Sequence, residues 1–173
     1  IICHNEEMRQ KINLLKNFGI ANETEVLEVG SNGKMSEINA AFGLVQLKHI
    51  DEAIAQRKII DARYRQALSQ VRGIHCLPPS GQTASNYSYF PILVTEEYPL
   101  TRDELYQKLK DNNIFARRYF YPLISEFEMY KEMPSAAESN LSVASKATQQ
   151  VLCLPIYAAL EEEQQDEIIE LMK

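Results

Sequence analysis

Met8, Ile12 and Leu15 recur at helical spacing behind Asn5, a side chain suited to capping, and Glu6 and Glu7 put negative charge at the positive end of a helix dipole. This pattern predicts a helix over residues 5–17, stopped by Gly19. Ile1 and Ile2 before it read as the end of a buried strand. From Met35 to Gln70 there is no Pro and one Gly, and Leu47, Ile50, Ile54, Tyr64 and Leu68 keep to one stripe. The spacing predicts one long helix of roughly 50 Å, at about 1.5 Å per residue, of the kind that bridges domains or subunits. Asp61 and Arg65 add a favourable i,i+4 pair, and Gly73 supplies the stop. Ile38, Phe42, Leu44 and Val45 widen the apolar face around Ala40, Ala41 and Gly43, which suits close packing better than a narrow coiled-coil seam.

The second half alternates. Tyr87 to Val94 reads as a strand, with Pro91 placing it at an edge or a bulge. Thr101-Arg102-Asp103-Glu104 is a capping box, and Leu100 with Leu105 fits the hydrophobic staple, which predicts a helix over 102–111. Ile114 to Tyr121 is the next predicted strand, ended by Pro122. Helices follow over 142–152 and 161–172, separated by an extended Leu152-Cys153-Leu154-Pro155. The whole is an α+β pattern: a long helix, a small mostly antiparallel sheet and covering helices.

Composition narrows the function classes. With 173 residues, 45% hydrophobic and 24% charged, the chain is long enough to bury a core. Its net charge of -6 argues against broad binding of nucleic acid. Apolar runs such as Val151 to Ile156 are far short of the roughly 20 residues that span a bilayer, so no membrane segment is expected. Cys3, Cys76 and Cys153 are odd in number and scattered, which points to a reduced, cytoplasmic setting. The apolar start without Met suggests a chain that begins inside a larger protein.

Two segments carry candidate chemistry. Gly30-Ser31-Asn32-Gly33-Lys34 lies before a helix, but two residues rather than four separate the glycines and Met35 follows the Lys, which excludes a Walker phosphate loop. A Gly-bracketed turn there still offers backbone N–H groups, the Asn32 amide and the Lys34 ammonium to an anion. In Phe115 to Tyr121 a strand period puts Phe115, Arg117, Tyr119 and Tyr121 on one face and Arg118 with Phe120 on the other. An Arg among aromatics suits a phosphate or a stacked base; an Arg paired with a surface carboxylate is the structural alternative. His75-Cys76 has no partner pair at metal-ligand spacing, and the three His form no nucleophile pattern.

In order along the chain, Leu15-Lys16-Asn17-Phe18-Gly19-Ile20, Gly30 to Glu37, Ala40 to Leu47, Arg57, Tyr64, Leu68, Tyr119-Phe120-Tyr121-Pro122-Leu123 and Val151 to Pro155 resemble the C-terminal part of the DegT/DnrJ/StrS sugar aminotransferases. These are pyridoxal phosphate enzymes of the aspartate aminotransferase fold, fold type I. The resemblance implies that residues 1–30 end the large cofactor-binding domain and 31–173 form the small C-terminal domain. It also implies that the lysine carrying pyridoxal 5'-phosphate lies shortly before Ile1, so that this stretch alone holds no catalytic residue and is inactive. Asn32 matches the asparagine that reaches the cofactor phosphate of the other subunit of a homodimer with shared active sites. Lys34 stands where Arg is commoner, and Ile124 where many members carry His. Arg117, Tyr119 and Tyr121 become substrate-binding candidates, in a version resembling the subgroup that aminates dTDP-linked keto-6-deoxysugars, with glutamate as donor, for surface polysaccharide or O-antigen synthesis. A non-catalytic pleiotropic regulator and a sugar dehydratase are the alternatives within the family.

Overall fold

The computed structural model describes residues 1–78 and 84–173. The chain divides into two compact units, Ile1–His49 and Ile50–Lys173.

In the first unit α1 (Glu6–Leu15) starts where the pattern placed it, with Asn5 Oδ1 accepting from the Met8 N–H at 2.8 Å. Ile1 and Ile2 form no strand and are exposed. A short antiparallel hairpin follows, β1 (Ile20–Asn22) and β2 (Glu25–Val26). Gly19, at φ 77°, is required at its base, because a Cβ there would lie 1.7 Å from the Glu28 carbonyl oxygen. Helix α2 (Glu37–Leu47) is capped by Ser36. No hydrophobic side chain among these residues is buried, and Met35, Ile38, Phe42, Leu44, Val45 and Leu47 are all exposed.

The long helix expected over 35–70 is two helices. At Lys48 and His49 the backbone N–H groups turn to Val45 O and Gln46 O, three residues back, which breaks the i to i−4 ladder. A second helix, α3 (Ile50–Leu68), then begins with Asp51 and Glu52 in its first turn.

The second unit is built on a three-stranded antiparallel sheet in the order β3 (Ile74–Cys76), β4 (Phe90–Val94), β5 (Val151–Leu154). Pro91 therefore sits in the central strand, not at an edge. Both backbone polar groups of its neighbour Cys153 bond to Arg117, at 2.9 and 2.8 Å. The missing Pro91 donor thus points the other way, past Cys76, where β3 has already ended opposite Ile92. Phe90, Ile92 and Val94 alternate inward from β4 and meet Tyr64 and Leu68 of α3, Leu105 and Leu109 of α4 (Arg102–Asp111), and Ile168, Ile169 and Met172 of α6 (Glu162–Met172). Two polar groups in this core are paired: Gln165 donates to Ile60 O at 2.8 Å, and the Tyr64 hydroxyl to Pro155 O at 3.1 Å.

The Thr101 capping box forms as read, and the Asp61–Arg65 pair closes at 2.7 Å. Helix α5 (Ser142–Gln150) leads directly into β5. The strand expected over 114–121 does not form. Arg117 makes a single isolated bridge to Cys153, and the chain then turns at Tyr119 and Phe120. Packing overrides the local β preference here: the Arg118 guanidinium lies 4.2 Å from the Tyr106 ring centroid on α4, and Thr148 of α5 donates to Phe120 O.

Candidate functional site

Candidate residues occur in both units. In the first, the 30–34 turn folds back onto the C-terminal end of α1. The Ser31 N–H donates to Leu15 O at 2.8 Å and the Gly33 N–H to Lys16 O at 2.9 Å, so these two donors satisfy the orphan carbonyls of the helix and are not free for an anion. Gly30 is required by the close approach, since a Cβ would lie 2.4 Å from the Gly19 nitrogen. What the turn presents is side chains. Asn32 is exposed, and among the described residues its amide makes no hydrogen bond. The Lys34 ammonium donates to Asn17 Oδ1 at 3.0 Å and lies 5.5 Å from the Phe18 ring centroid, which leaves further N–H donors. One uncommitted amide beside one held ammonium is a donor set that fits a phosphate monoester.

In the second unit, the failure of the 114–121 strand decides the site. Strict alternation would separate Arg117 from Arg118; the turn instead brings both to one cavity of about 600 Å³, with Phe120, Tyr121, Ile124 and Phe127. Arg117 is exposed, its guanidinium 5.6 Å from the Phe120 ring centroid, with no ion pair among the described residues. Tyr119 does not line this cavity. Its ring packs between Tyr89 and Phe120, with centroids 5.0 and 4.4 Å away. Of the three residues read from the sequence, Arg117 and Tyr121 come together and Tyr119 supports the wall. The cavity thus pairs apolar and aromatic walls with cationic side chains, an arrangement suited to a flat ring bearing an anionic tail. Ile124 lines it where the resemblance often has His, so that position supplies no acid or base.

Sequence reading missed Arg102, Asp103 and Tyr106 behind the cavity. One signal was available: Arg102 is the first residue of α4, where the helix dipole disfavours a cation, so a tertiary partner had to hold it. Among the described residues no three His, Cys, Asp or Glu side chains gather to hold a metal. No helix among them is long and apolar enough to cross a membrane.

The sequence model of the DegT/DnrJ/EryC1/StrS aminotransferase family matches residues 1–173. The chain belongs to this family. A dTDP-4-amino-4,6-dideoxy-D-glucose transaminase of Escherichia coli is 53% identical over 163 residues, which cover 94% of this chain and 44% of that protein. Among solved structures, S. venezuelae DesV in complex with a ketimine intermediate superposes with a TM-score of 0.86 at 26% identity, over 98% of this chain and 44% of DesV. DesI in the presence of its TDP-sugar product gives 0.85 at 27%, over 98% of this chain and 43% of DesI. The chain thus spans less than half the length of these relatives, and its fold is that of their matching part.

Proposed function

We propose that the whole protein is a pyridoxal phosphate-dependent aminotransferase that moves an amino group from glutamate to the C4 keto carbon of a dTDP-linked 6-deoxysugar. The observation that carries this reading is the 53% identity to the E. coli transaminase across nearly the entire chain, cavity segment included. When bound, pyridoxal phosphate supplies the electron sink through which the amino group passes. The Asn32 amide and Lys34 ammonium act as donors to its phosphate, and they do so in the active site of the other subunit of a homodimer. Residues 1–30 belong to the cofactor domain and 31–173 to the small domain, with the cofactor-bearing lysine upstream. Arg117 and Arg118 bind the diphosphate of the sugar nucleotide, and Phe120 and Tyr121 give apolar surface to its base or sugar. The product serves surface polysaccharide synthesis in the cytoplasm.

The test is an assay of the full-length gene product with glutamate and the dTDP-linked 4-keto-6-deoxyhexose. Equimolar 2-oxoglutarate and an aminosugar nucleotide are expected, the latter identified by mass. The same protein should be at least about tenfold less efficient with a UDP-linked ketosugar, a difference of about 1.4 kcal/mol. Absence of 2-oxoglutarate with the dTDP sugar overturns the reading.

A further inference from the structure

Behind the cavity wall lies a buried cation that the proposed chemistry does not use. Arg102 is 3% exposed, and its guanidinium sits at the junction of four segments. Its Nη1 donates to Thr148 O at 2.8 Å, in the last turn of α5, and to Val151 O at 3.1 Å, at the start of β5. Its Nε donates to Asp103 Oδ1 at 2.8 Å, and its Cζ lies over the Tyr121 ring, 4.9 Å from the centroid. Among the described residues the Arg102 Nη2 is buried without a partner, so the group is held there at an energetic cost that packing alone would avoid.

The same carboxylate serves the neighbouring arginine. Arg118 Nε lies 3.1 Å from Asp103 Oδ1, within ion-pair distance though not aligned for a hydrogen bond. The Arg118 guanidinium also lies 5.7 Å from the other contact of Arg102, the Tyr121 ring. Tyr121 is thus flanked by two guanidinium groups that share one carboxylate, and both Tyr121 and Arg118 line the cavity while Arg102 does not.

We propose that Arg102 is a positioning residue for the nucleotide-sugar cavity, fixing the Tyr121 ring by a cation–π contact and, through Asp103, the guanidinium of Arg118. This rests on the reading of the cavity as the nucleotide site. A guanidinium suits the task because its planar fork can hold two carbonyls and a carboxylate while its face lies on a ring; a lysine ammonium offers no such plane. The negative end of α5 at Thr148 stabilises the buried charge.

The test uses the full-length holoenzyme and dTDP as the probe, with binding measured by calorimetry alongside steady-state kinetics. Arg102→Lys should weaken dTDP binding and raise KM for the sugar nucleotide by roughly tenfold, the scale of one desolvated cation–π contact. KM for glutamate and kcat should stay within about twofold. In a Tyr121→Ala background the Arg102→Lys change should weaken binding by less than it does in wild type, because the ring is gone and only the arm through Asp103 to Arg118 remains. If Arg102→Lys does not fold, Asp103→Ala, at a half-exposed side chain, should still weaken dTDP binding severalfold with little change in melting temperature. Wild-type enzyme that fails to bind dTDP overturns the nucleotide reading and this role with it. Wild type that binds while Asp103→Ala, or a folded Arg102→Lys, binds equally well overturns the positioning role alone, as do independent, multiplying effects of the Arg102 and Tyr121 changes.

Discussion

Cys153 shows how a single position acquires its chemistry from burial. It lies in β5, 5% exposed, and burial pushes its thiol up to about 11, with nearby Arg117 opposing the shift. The folded state therefore holds this proton more tightly than the unfolded chain. The resulting stabilisation is complete below the ordinary thiol value near 9.0 and drains away as pH rises from there through about 11. Two outcomes are expected. At pH 8 a thiol reagent should modify Cys153 only after denaturant unfolds the unit, while Cys3 and Cys76, both less buried, react earlier. The stability advantage of wild type over Cys153→Ala should shrink between pH 9 and 11 in urea titrations. Rapid labelling of native Cys153 at pH 8 would contradict both.

At the scale of elements, α4 is the helix best specified by its own sequence. Thr101 Oγ1 accepts from the Glu104 N–H, and Glu104 accepts from the Thr101 N–H at 2.7 Å, a contact that holds the Glu104 carboxyl below its usual range. Leu100 and Leu105 join the core beneath it. Removing the cap by Thr101→Ala should cost about 1 kcal/mol, read as a lower urea midpoint with an unchanged slope. Because Arg102 follows directly, a frayed α4 start should also loosen the cavity wall; an unchanged midpoint would show that the box is decorative. The helix expected to run from 35 to 70 makes a contrasting point. Helix α2 tolerates Gly43, yet nothing local marks Lys48 and His49 as a break, since neither Pro nor Gly stands there. The break lies between helices whose apolar residues fare differently: Leu47 and Ile50 are exposed, whereas Ile60, Tyr64 and Leu68 are buried.

For the whole molecule, the apolar residues of α2 are the main fact. Ile38, Phe42, Val45 and Leu47 meet no core within the described residues. In the proposed homodimer with shared sites, Asn32 of one subunit serves the cofactor bound by the other. Asn32→Ala subunits mixed with subunits lacking the upstream lysine should regain activity, because one composite site per heterodimer keeps both groups. Verified heterodimers without activity would show that Asn32 acts within its own subunit.

Sequence alone determined the features whose physics is local. Asn5 and Thr101 cap helices because a side-chain oxygen reaches an amide three residues on, whatever surrounds it. The helices over 102–111, 142–150 and 162–172, the Asp61–Arg65 pair and a strand ending at Val94 were legible for the same reason. The names of the cavity residues Arg117 and Tyr121 were legible too, but their geometry was not. Tertiary structure decided that Pro91 could occupy a central strand, because β3 ends one residue short of it. It also decided that 114–121 would turn rather than extend, because α4 and α5 offered Tyr106 and Thr148 as partners. Arg102 was invisible for the strongest version of this reason: a buried guanidinium is stabilised by carbonyls 46 and 49 residues away in the chain, and no local pattern encodes contacts at that separation.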